Sequence, residues 1–448
     1  AAFSFCTRLS SVDFHEESRL TFIGPLSFEN SALTQIDIPK TVEEIQESAF
    51  RMCDKLSIVT FTEHSQLKLI SNSAFQNTVL ETISIPKTTT KIGFCSFCGC
   101  KKLKSITFDE DSELKIIEES AFKHSGLETI SLPKSLEAIG NSAFFECKSL
   151  QSVSFQKDSE LIEIGESAFY GTNLQSISIP SSVETINSSS FANCKNFQRI
   201  DFQQDSELVT IAKGAFSNTP LESICFPSNV CDLQEGWQNG AIHLTNIFVA
   251  PGNGSLSFID DTFLVLTNDD DDAVLLYTNQ NVDKITLPSS ITRICSTSFL
   301  YCESLTSIKT LNDSQLKIID DYKQSTLAKI HIPNQVERIG KEAFSLCNNL
   351  QYIIFENQSN LKVIDESAFQ KSSIKYITIP SSVISIKQSA FYSCNNLHSV
   401  TFSNMQFSNL KEIEESTFAC SAIVDIEIPD SVEIIGKASF MSCDNLKP

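Results

Sequence analysis

Glycine and histidine are both scarce in this chain, whose 448 residues include only 14 glycines and six histidines. Phosphate-binding loops and dinucleotide fingerprints need several closely spaced glycines, and no such motif is present. The histidines are scattered, and none stands in a metalloprotease or nucleophile-elbow motif. These absences predict a protein that is not an enzyme and that has no catalytic residue, no cofactor and no metal.

Positive charge is also in short supply, because 34 Lys and Arg residues face 55 Asp and Glu residues, for a net charge of -21. This balance argues against nucleic acid, heparin-like chains and anionic lipid as partners, since all of them bind clustered basic residues. No apolar run is long enough to span a membrane. The chain begins and stops inside a repeated unit, which predicts a piece of a longer protein whose signal or anchor lies elsewhere.

What the chain has in abundance is one fragment, a Ser-Ala-Phe or close variant followed by Leu-x-x-Ile/Val-x-Phe/Ile. Its anchor residues recur at intervals that mostly alternate between 25 and 22 residues. The anchors are Phe3, Phe28, Phe50, Phe75, Phe97, Phe122, Phe144, Phe169, Phe191 and Phe216, then Phe299, Tyr322, Phe344, Phe369, Phe391, Phe418 and Phe440. A fixed period of this size is typical of a solenoid. We therefore expect a single solenoid over residues 1–448 with about 19 units.

Within a unit, segments such as Leu103–Phe108 alternate apolar and polar residues and are predicted to be short strands. Successive strands would form a parallel sheet with Ile106 and Phe108 pointing into the core. Prolines follow every second strand, where the missing N–H ends the ladder. They are Pro39, Pro86, Pro133, Pro180, Pro227, Pro288, Pro333, Pro380 and Pro429. The opposite face is predicted to hold short turns or 3-10 segments, from which each anchor enters the core.

The regularity breaks once, which divides the predicted solenoid into regular arrays at residues 1–228 and 285–448 and an irregular region at 229–284. In that region Trp237 occupies an anchor slot, and Phe263 occupies the next. Two apolar runs around Asp269 to Asp272 predict a β-hairpin insertion. The acidic tip could bind a hard cation, but it lacks an EF-hand pattern, so we expect it to be solvated.

Cysteine follows the repeat, because nine of the 15 cysteines lie three residues after an anchor: Cys6, Cys53, Cys100, Cys147, Cys194, Cys302, Cys347, Cys394 and Cys443. In the alternate units this slot holds Ser31, Thr78, Ser125, Thr172, Thr219, Ser325, Ser372 and Ser421. The slot therefore predicts small buried side chains rather than disulfides. Cys95 and Cys98 lack the further ligands of a zinc site. Cys225 and Cys231 are either a local disulfide or two free thiols.

The consensus Ile-x-Ile-Pro-x-Ser-Val-x-x-Ile-Gly-x-x-Ala-Phe-x-x-Cys-x-x-Leu-x-x-Val-x-Phe resembles the BspA-like leucine-rich repeat family, of the Treponema pallidum type. Residues 179–202 are one copy, in which Phe197 replaces the usual Leu and Asn187 the usual Gly. The paired periods are most similar to trichomonad members. The resemblance implies a leucine-rich-repeat solenoid at the cell surface or outside the cell, with extracellular matrix or host cell-surface proteins as partners.

The outward positions of the predicted strands indicate where a partner would bind. Early strands carry Ser and Thr, whereas three later strands carry charged, aromatic and apolar side chains. The candidate protein-binding residues are Lys329, His331, Tyr352, Ile354, Tyr376 and Thr378. Exposed tyrosines on a rigid platform are typical of interface hot spots. The alternative is that the two tyrosines pair across strands and only stabilise the sheet.

The sequence thus favours a non-enzymatic adhesion or recognition protein that binds host or neighbouring-cell proteins through its exposed sheet. The alternative is a structural or intracellular scaffold for protein assembly, with its cysteines reduced. Four Asn-x-Ser sequons begin at Asn187, Asn253, Asn312 and Asn357. They favour secretion, although a Ser-rich chain contains such triplets by chance.

Overall fold

A computed structural model describes residues 1–268, 270–295, 297–299, 302, 304–311, 313–319 and 327–447. Asp269 of the predicted hairpin tip, the anchor Tyr322, the slot residue Ser325 and the sequon residue Asn312 lie outside the described residues. The chain divides into two compact units, Ala1–Asn253 (unit 1) and Gly254–Pro448 (unit 2). Both are built from parallel coils, which confirms the predicted β-solenoid.

In unit 1, each coil contributes one four-residue strand to the front of the solenoid. Along Thr129–Leu132 the side chains are alternately exposed and buried, because successive residues of a strand point to opposite faces. The front strands are β2 (Gln35–Ile38), β4 (Ile58–Phe61), β6 (Thr82–Ile85), β8 (Ser105–Phe108), β10 (Thr129–Leu132), β12 (Ser152–Phe155), β14 (Ser176–Ile179), β16 (Arg199–Phe202), β18 (Ser223–Phe226) and β20 (Asn246–Val249).

Prolines interrupt the front ladder of unit 1. Strands β2 and β4, β6 and β8, and β10 and β12 pair with each other, but these pairs are not joined by ladder bonds. The residue after a strand can donate its N–H to the preceding strand, as Gln156 does to the Leu132 carbonyl at 3.0 Å. Pro86, Pro133 and Pro180 have no N–H to donate at this position. The sheet therefore opens on one side of each of these prolines.

The open gaps explain one departure from the predicted core. Ile106 is 4% exposed, as expected for an inward position, but Phe108 is only half-buried. Phe108 ends β8 on the side where the next strand, β10, does not pair with it. Its ring therefore borders the gap instead of being covered by the next coil.

A second parallel sheet lies at the back of unit 1, where the sequence predicted only short turns. Its strands have two residues each, and in β13 only Ile164 is buried while Glu163 is exposed. Two residues are too few to show a period-two pattern, so sequence alone gave no signal for this sheet. The strands are β1 (Phe22–Ile23), β3 (Glu44–Ile45), β5 (Leu69–Ile70), β7 (Lys91–Ile92), β9 (Ile116–Ile117), β11 (Ala138–Ile139), β13 (Glu163–Ile164), β15 (Thr185–Ile186), β17 (Thr210–Ile211) and β19 (Asp232–Leu233).

The anchor phenylalanines enter the core from a turn that follows each back strand. Phe50 donates its N–H to the carbonyl of Ala74 in the next coil at 2.8 Å. Its ring stacks on that of Phe75 with 5.2 Å between the ring centroids. Ser48 and Met52, two residues before and after Phe50, have positive φ angles of 55° and 58°. With a left-handed residue on each side, the turn points both the N–H and the ring of Phe50 toward the next coil.

Unit 2 begins with antiparallel strands at the position of the predicted hairpin insertion. β22 (Phe263–Thr267) pairs with both β21 (Leu256–Ile259) and β23 (Ala273–Thr278). The Asn268 carboxamide oxygen accepts hydrogen bonds from the N–H groups of Asp270 and Asp272 at 3.1 and 2.8 Å. This side chain therefore organises the turn that connects β22 and β23.

The rest of unit 2 repeats the front and back sheets. The front strands are β24 (Lys284–Thr286), β26 (Ser307–Lys309), β28 (Lys329–Ile332), β30 (Tyr352–Phe355), β32 (Tyr376–Ile379), β34 (Ser399–Phe402) and β36 (Asp425–Ile426). The back strands are β25 (Ile291–Ile294), β27 (Ile318–Ile319), β29 (Arg338–Ile339), β31 (Val363–Ile364), β33 (Ser385–Ile386), β35 (Glu412–Ile413) and β37 (Ile434–Ile435). Met405–Phe407 forms a 3-10 helix.

The cysteine slot is structural, as predicted for most of its members. The thiol of Cys147 is buried, donates to the carbonyl of Phe122 at 3.0 Å and lies 3.2 Å from the Ser125 hydroxyl of the preceding coil. Cys6 is exposed and Cys443 is half-buried, unlike the slot cysteines between them. Cys225 and Cys231 are two free thiols, and both are exposed.

Candidate protein-binding face

The outward positions of the seven front strands of unit 2 form a continuous surface, which we call the unit 2 front face. Its side chains, in strand order, are Lys284, Thr286, Ser307, Lys309, Lys329, His331, Tyr352, Ile354, Tyr376, Thr378, Ser399, Thr401 and Asp425. The six residues predicted from sequence all lie in its central strands β28, β30 and β32. The period-two pattern therefore placed them correctly on one surface.

Two tyrosines and an isoleucine form the apolar centre of this face. Tyr352 is 44% exposed, Tyr376 is 56% exposed and Ile354 is 38% exposed. In the sheet register, Tyr352 lies between Lys329 and Tyr376, while Ile354 is opposite His331. Large side chains that stay this exposed on a regular sheet are available for contact with another molecule.

The two tyrosines do not stack on each other. The ring of Tyr376 lies near that of His398, with 6.5 Å between centroids, and the two tyrosine rings form neither a stacked nor an edge-on pair, although the two residues are register partners. His398 immediately precedes β34, so the strand pattern did not include it among the candidates. The structure therefore gives no ring-ring support to the alternative in which the tyrosines serve only as a stabilising cross-strand pair.

A proline separates the strands just beyond the tyrosines. Strands β30 and β32 are joined through the single register pair Tyr352–Tyr376, whereas β28–β30 and β32–β34 each have four pairs. Pro380 follows β32 and lacks the N–H that would extend the pairing. The resulting groove has a volume of about 410 Å³ and is lined by Ile354, Thr378 and Pro380, among others. The tyrosine pair thus stands at one end of a groove lined by both polar and apolar residues.

Thr378 is the least distinctive of the predicted site residues. Its hydroxyl lies 2.9 Å from the hydroxyl of Thr401 on the next strand. This contact is the threonine ladder expected of a solvated sheet face. Thr378 therefore contributes to the groove wall rather than presenting a free polar group.

The charge on the unit 2 front face changes from one end to the other. Lys284, Lys309 and Lys329 lie on three successive strands, and no ion pair involves them in the described part of the chain. At the other end, Asp425 is exposed and so is Glu427, which follows β36. Lys284 and Lys309 were not among the candidates from sequence, which comprise only β28 and the two tyrosine-bearing strands that follow it.

His331 lies between the lysines and the apolar centre. Its pKa is lowered, first by partial burial and then by the positive charges of Lys329 and Lys309, while Glu356 opposes the shift. At neutral pH the imidazole is therefore uncharged and can both donate and accept a hydrogen bond.

The front face of unit 1 is mostly polar, which makes it a natural comparison. Its central strands present Thr82, Ser84, Ser105, Thr107, Thr129, Ser131, Ser152, Ser154, Ser176 and Ser178. Two exposed apolar residues were missed from sequence: Ile58, 51% exposed beside a groove of about 660 Å³, and Phe248, 59% exposed. Both stand alone among polar neighbours and are not accompanied by a second exposed aromatic ring on an adjacent strand.

Metal sites and membrane-spanning helices are two other features that the described residues could contain. No group of three or more His, Cys, Asp or Glu residues is arranged to hold a metal ion in the described ranges. The described part of the chain also contains no helix with the length and apolar character that crossing a bilayer requires.

The fold and the repeated anchor turns define a leucine-rich-repeat solenoid, a class that typically presents a broad surface to proteins. The family model described as BspA type leucine rich repeat region (six copies) matches residues 1–104, 68–163, 115–245, 275–323 and 317–447. The chain belongs to this family, which confirms the resemblance drawn from the consensus. No curated protein is significantly similar to the sequence.

Several solved structures resemble the chain. A leucine-rich repeat protein from Eubacterium ventriosum is 19% identical with a TM-score of 0.50, over 81% of this chain and 82% of that one. A leucine rich cell surface protein from Faecalibacterium prausnitzii is 22% identical with a TM-score of 0.49, over 83% of each chain. The pneumococcal vaccine antigen PcpA is 22% identical with a TM-score of 0.49, over 80% of this chain and 84% of that one. At these identities the likeness concerns the fold alone.

Proposed function

We propose that this chain is a non-enzymatic adhesion or recognition protein at the cell surface or outside the cell. It binds extracellular matrix or host and neighbouring-cell proteins through the unit 2 front face. The observation that carries this proposal is the pair of exposed tyrosines, Tyr352 and Tyr376, on adjacent strands of a rigid parallel sheet. Aromatic side chains on a fixed backbone lose little conformational entropy when they are buried by a partner.

The charge pattern of the face specifies the chemistry of the partner further. The lysines of β24, β26 and β28 lie beside the tyrosines, whereas Asp425 lies at the far end. A protein surface that places carboxylates over the lysines and an apolar side chain over the tyrosines would complement this arrangement. Because the net charge of the chain is -21, an acidic partner surface would be attracted only to this local basic end. Raising the salt concentration would therefore slow its association.

The test compares two double variants in a binding assay on immobilised extracellular matrix proteins. Tyr352→Ala with Tyr376→Ala removes both rings. Thr129→Ala with Ser152→Ala is the matched control, because these residues occupy the same paired register on β10 and β12. Loss of two hot-spot rings is expected to weaken binding by about 2–4 kcal/mol, or roughly 30-fold or more, while the control binds like the original chain.

Thermal unfolding of the same variants separates binding from stability. We expect both double variants to unfold within a few degrees of the original chain, since all four side chains are exposed. Intact binding together with a large loss of stability in the tyrosine variant would show that the pair only supports the sheet.

A second candidate function is an intracellular assembly scaffold. The observation that favours it is that three cysteines, Cys6, Cys225 and Cys231, are exposed free thiols. Exposed free thiols are more common in reducing compartments. Fractionation of the native cells distinguishes the two candidates, because surface labelling by a membrane-impermeant reagent is expected only for the adhesion protein.

A further inference from the structure

We infer that Asn357 is an N-glycosylation site and that the folded chain does not display the sequons at Asn187 and Asn253 as acceptors. The acceptor atom in an Asn-x-Ser sequon is the side-chain amide nitrogen, Nδ2, which must carry a bulky, hydrated oligosaccharide. A sequon is therefore compatible with the fold only where Nδ2 points to solvent and has no structural hydrogen bond to lose. The three described sequons differ in this respect.

Asn187 and Asn253 use their Nδ2 atoms to tie coils together. Asn187 Nδ2 donates to a Glu163 carboxylate oxygen at 2.5 Å and to the Ile164 carbonyl at 3.1 Å, both in the preceding coil. Asn253 Nδ2 donates to the carbonyls of Pro227 and Val230, both at 3.0 Å. A glycosylated amide keeps one N–H, so a glycan at either position would break at least one of these bonds.

Burial argues in the same direction. Asn187 and Asn253 are both partly buried, so an oligosaccharide on either would have to displace neighbouring atoms. Asn253 donates to the carbonyl of Val230, and leaving a buried carbonyl without a donor costs about 1–3 kcal/mol. The Ile164 carbonyl would keep the backbone N–H of Asn187 as a donor at 3.0 Å, so a glycan on Asn187 costs mainly the bond to the Glu163 carboxylate. Chains with glycans at these positions are therefore expected to be depleted from the folded, secreted population.

Asn357 has none of these constraints. It is exposed in the turn after β30, and its side chain makes no hydrogen bond within the described residues. The next residue, Gln358, has a positive φ of 59°, which turns the chain outward. Ser359 Oγ accepts a local bond from the Leu361 N–H at 3.3 Å, which leaves its own hydroxyl hydrogen available.

A glycan on Asn357 would lie beside the groove of the unit 2 front face. Asn357 lines the same groove as Ile354 and Thr378. It follows Tyr352 by five residues, which corresponds to roughly 16 Å along an extended chain. A glycan here would flank the groove at the end opposite the tyrosines and would leave the tyrosine end open. Glycosylation of Asn357 rests on the proposed location outside the cell but not on binding by the tyrosines.

The experiment is to secrete the full 448-residue chain from a eukaryotic host behind a cleavable signal peptide and to isolate the folded monomer. Release of glycans by an amidase in heavy-oxygen water converts each occupied Asn into a labelled Asp, which peptide mass spectrometry counts. We expect the Asn357 peptide to be labelled roughly tenfold or more over the Asn253 peptide, as the cost of a lost buried bond implies, and also more than the Asn187 peptide.

Two variants control for the site. Asn357→Gln should abolish the label on this peptide, and Ser359→Ala should do the same while keeping the asparagine. Circular dichroism of Asn357→Gln should match the original chain, since Asn357 is exposed. Ser359→Ala also removes the acceptor of the Leu361 N–H, so the same measurement checks that this variant still folds. An unmodified Asn357 in the folded secreted chain, or equal occupancy at Asn187 or Asn253, would overturn the inference.

Discussion

At the scale of single residues, the cysteine slot shows how a small polarisable side chain can donate a hydrogen bond to a buried backbone carbonyl. The carbonyl of an anchor phenylalanine lies inside the coil, and the thiol of the next coil donates to it, as Cys394 does to Phe369 at 3.0 Å. A hydroxyl in the intervening slot lies beside the sulfur, as Ser372 does at 3.5 Å from Cys394. The alternation of Cys with Ser or Thr therefore reflects one repeated contact between neighbouring coils.

Thiol labelling should separate the buried from the exposed cysteines. We expect a maleimide to react with Cys225 and Cys231 in the folded chain, because both are exposed. Cys147 and Cys394 are fully buried and should react only after denaturation. Peptide mass spectrometry after timed labelling measures each site. Equal rates at Cys147 and Cys225 in the folded chain would contradict the buried slot.

The buried thiols also predict a loss of stability at high pH. Burial raises the pKa of Cys100 to about 11 and that of Cys147 to about 12, from the ordinary value of 9.0. Between pH 9.0 and these values the unfolded chain loses the proton and the folded chain keeps it. The contribution is therefore fully present below pH 9.0 and decreases by about 1.4 kcal/mol per pH unit for each thiol above it.

Cys147→Ser isolates one thiol in that experiment, because Ser fills the same slot in alternate coils, for example at Ser125. Urea titration from pH 8 to pH 11 measures the free energy of unfolding of this variant. This free energy should fall less steeply with pH than that of the original chain, and the difference is the contribution of the Cys147 thiol. An identical slope for both chains would show that this thiol is not protected from ionisation.

At the scale of elements, the stacked anchors are the main packing contact between coils. Phe169 is fully buried, with its ring centroid 5.1 Å from that of Phe144 and 5.4 Å from that of Phe191. Phe169→Ala would leave a cavity and should lower the free energy of unfolding by about 3–5 kcal/mol. Phe407→Ala is the control, since Phe407 is 70% exposed. Denaturant titration measures both, and equal small effects would contradict the stacked core.

The left-handed turn residues make a second prediction at this scale. Ser167 has a φ of 55°, a conformation that a β-branched side chain adopts only with strain. Ser167→Val should therefore destabilise the chain by about 1–3 kcal/mol. The same change at Ser176, an exposed strand position, should cost less than about 0.5 kcal/mol because Val suits strands. Thermal unfolding that ranks the two variants in the opposite order would refute the turn geometry.

The elements also show which features the sequence could predict. The coil period and the front strands were predictable, because each anchor and each alternating segment recurs many times. The back sheet was not, since a strand such as Glu163–Ile164 is too short to alternate. The half-burial of Phe108 could not be predicted either, because it depends on whether β10 pairs with β8. In the candidate site, Tyr352 was predictable from strand parity, whereas His398 was not because it precedes its strand.

At the scale of the whole molecule, the repeated residues fill the core, so binding to another molecule depends on the outward side chains. In unit 1 most of these side chains are Ser and Thr, which solvate the sheet without offering large contact area. In unit 2 they change to lysine, tyrosine and isoleucine over five successive strands, β24 to β32. Such a local change in an otherwise uniform array is what a binding site on a repeat protein requires.

Hydrogen exchange measured with and without a bound matrix protein would show whether the unit 2 front face is the surface that binds. We expect slowed exchange in peptides that contain Tyr352 and Tyr376, extending to Lys329, with no change across residues 129–155 of unit 1. Protection of the unit 1 front strands or of the back sheets instead, or no change in any peptide, would contradict the claim that the unit 2 front face binds the partner.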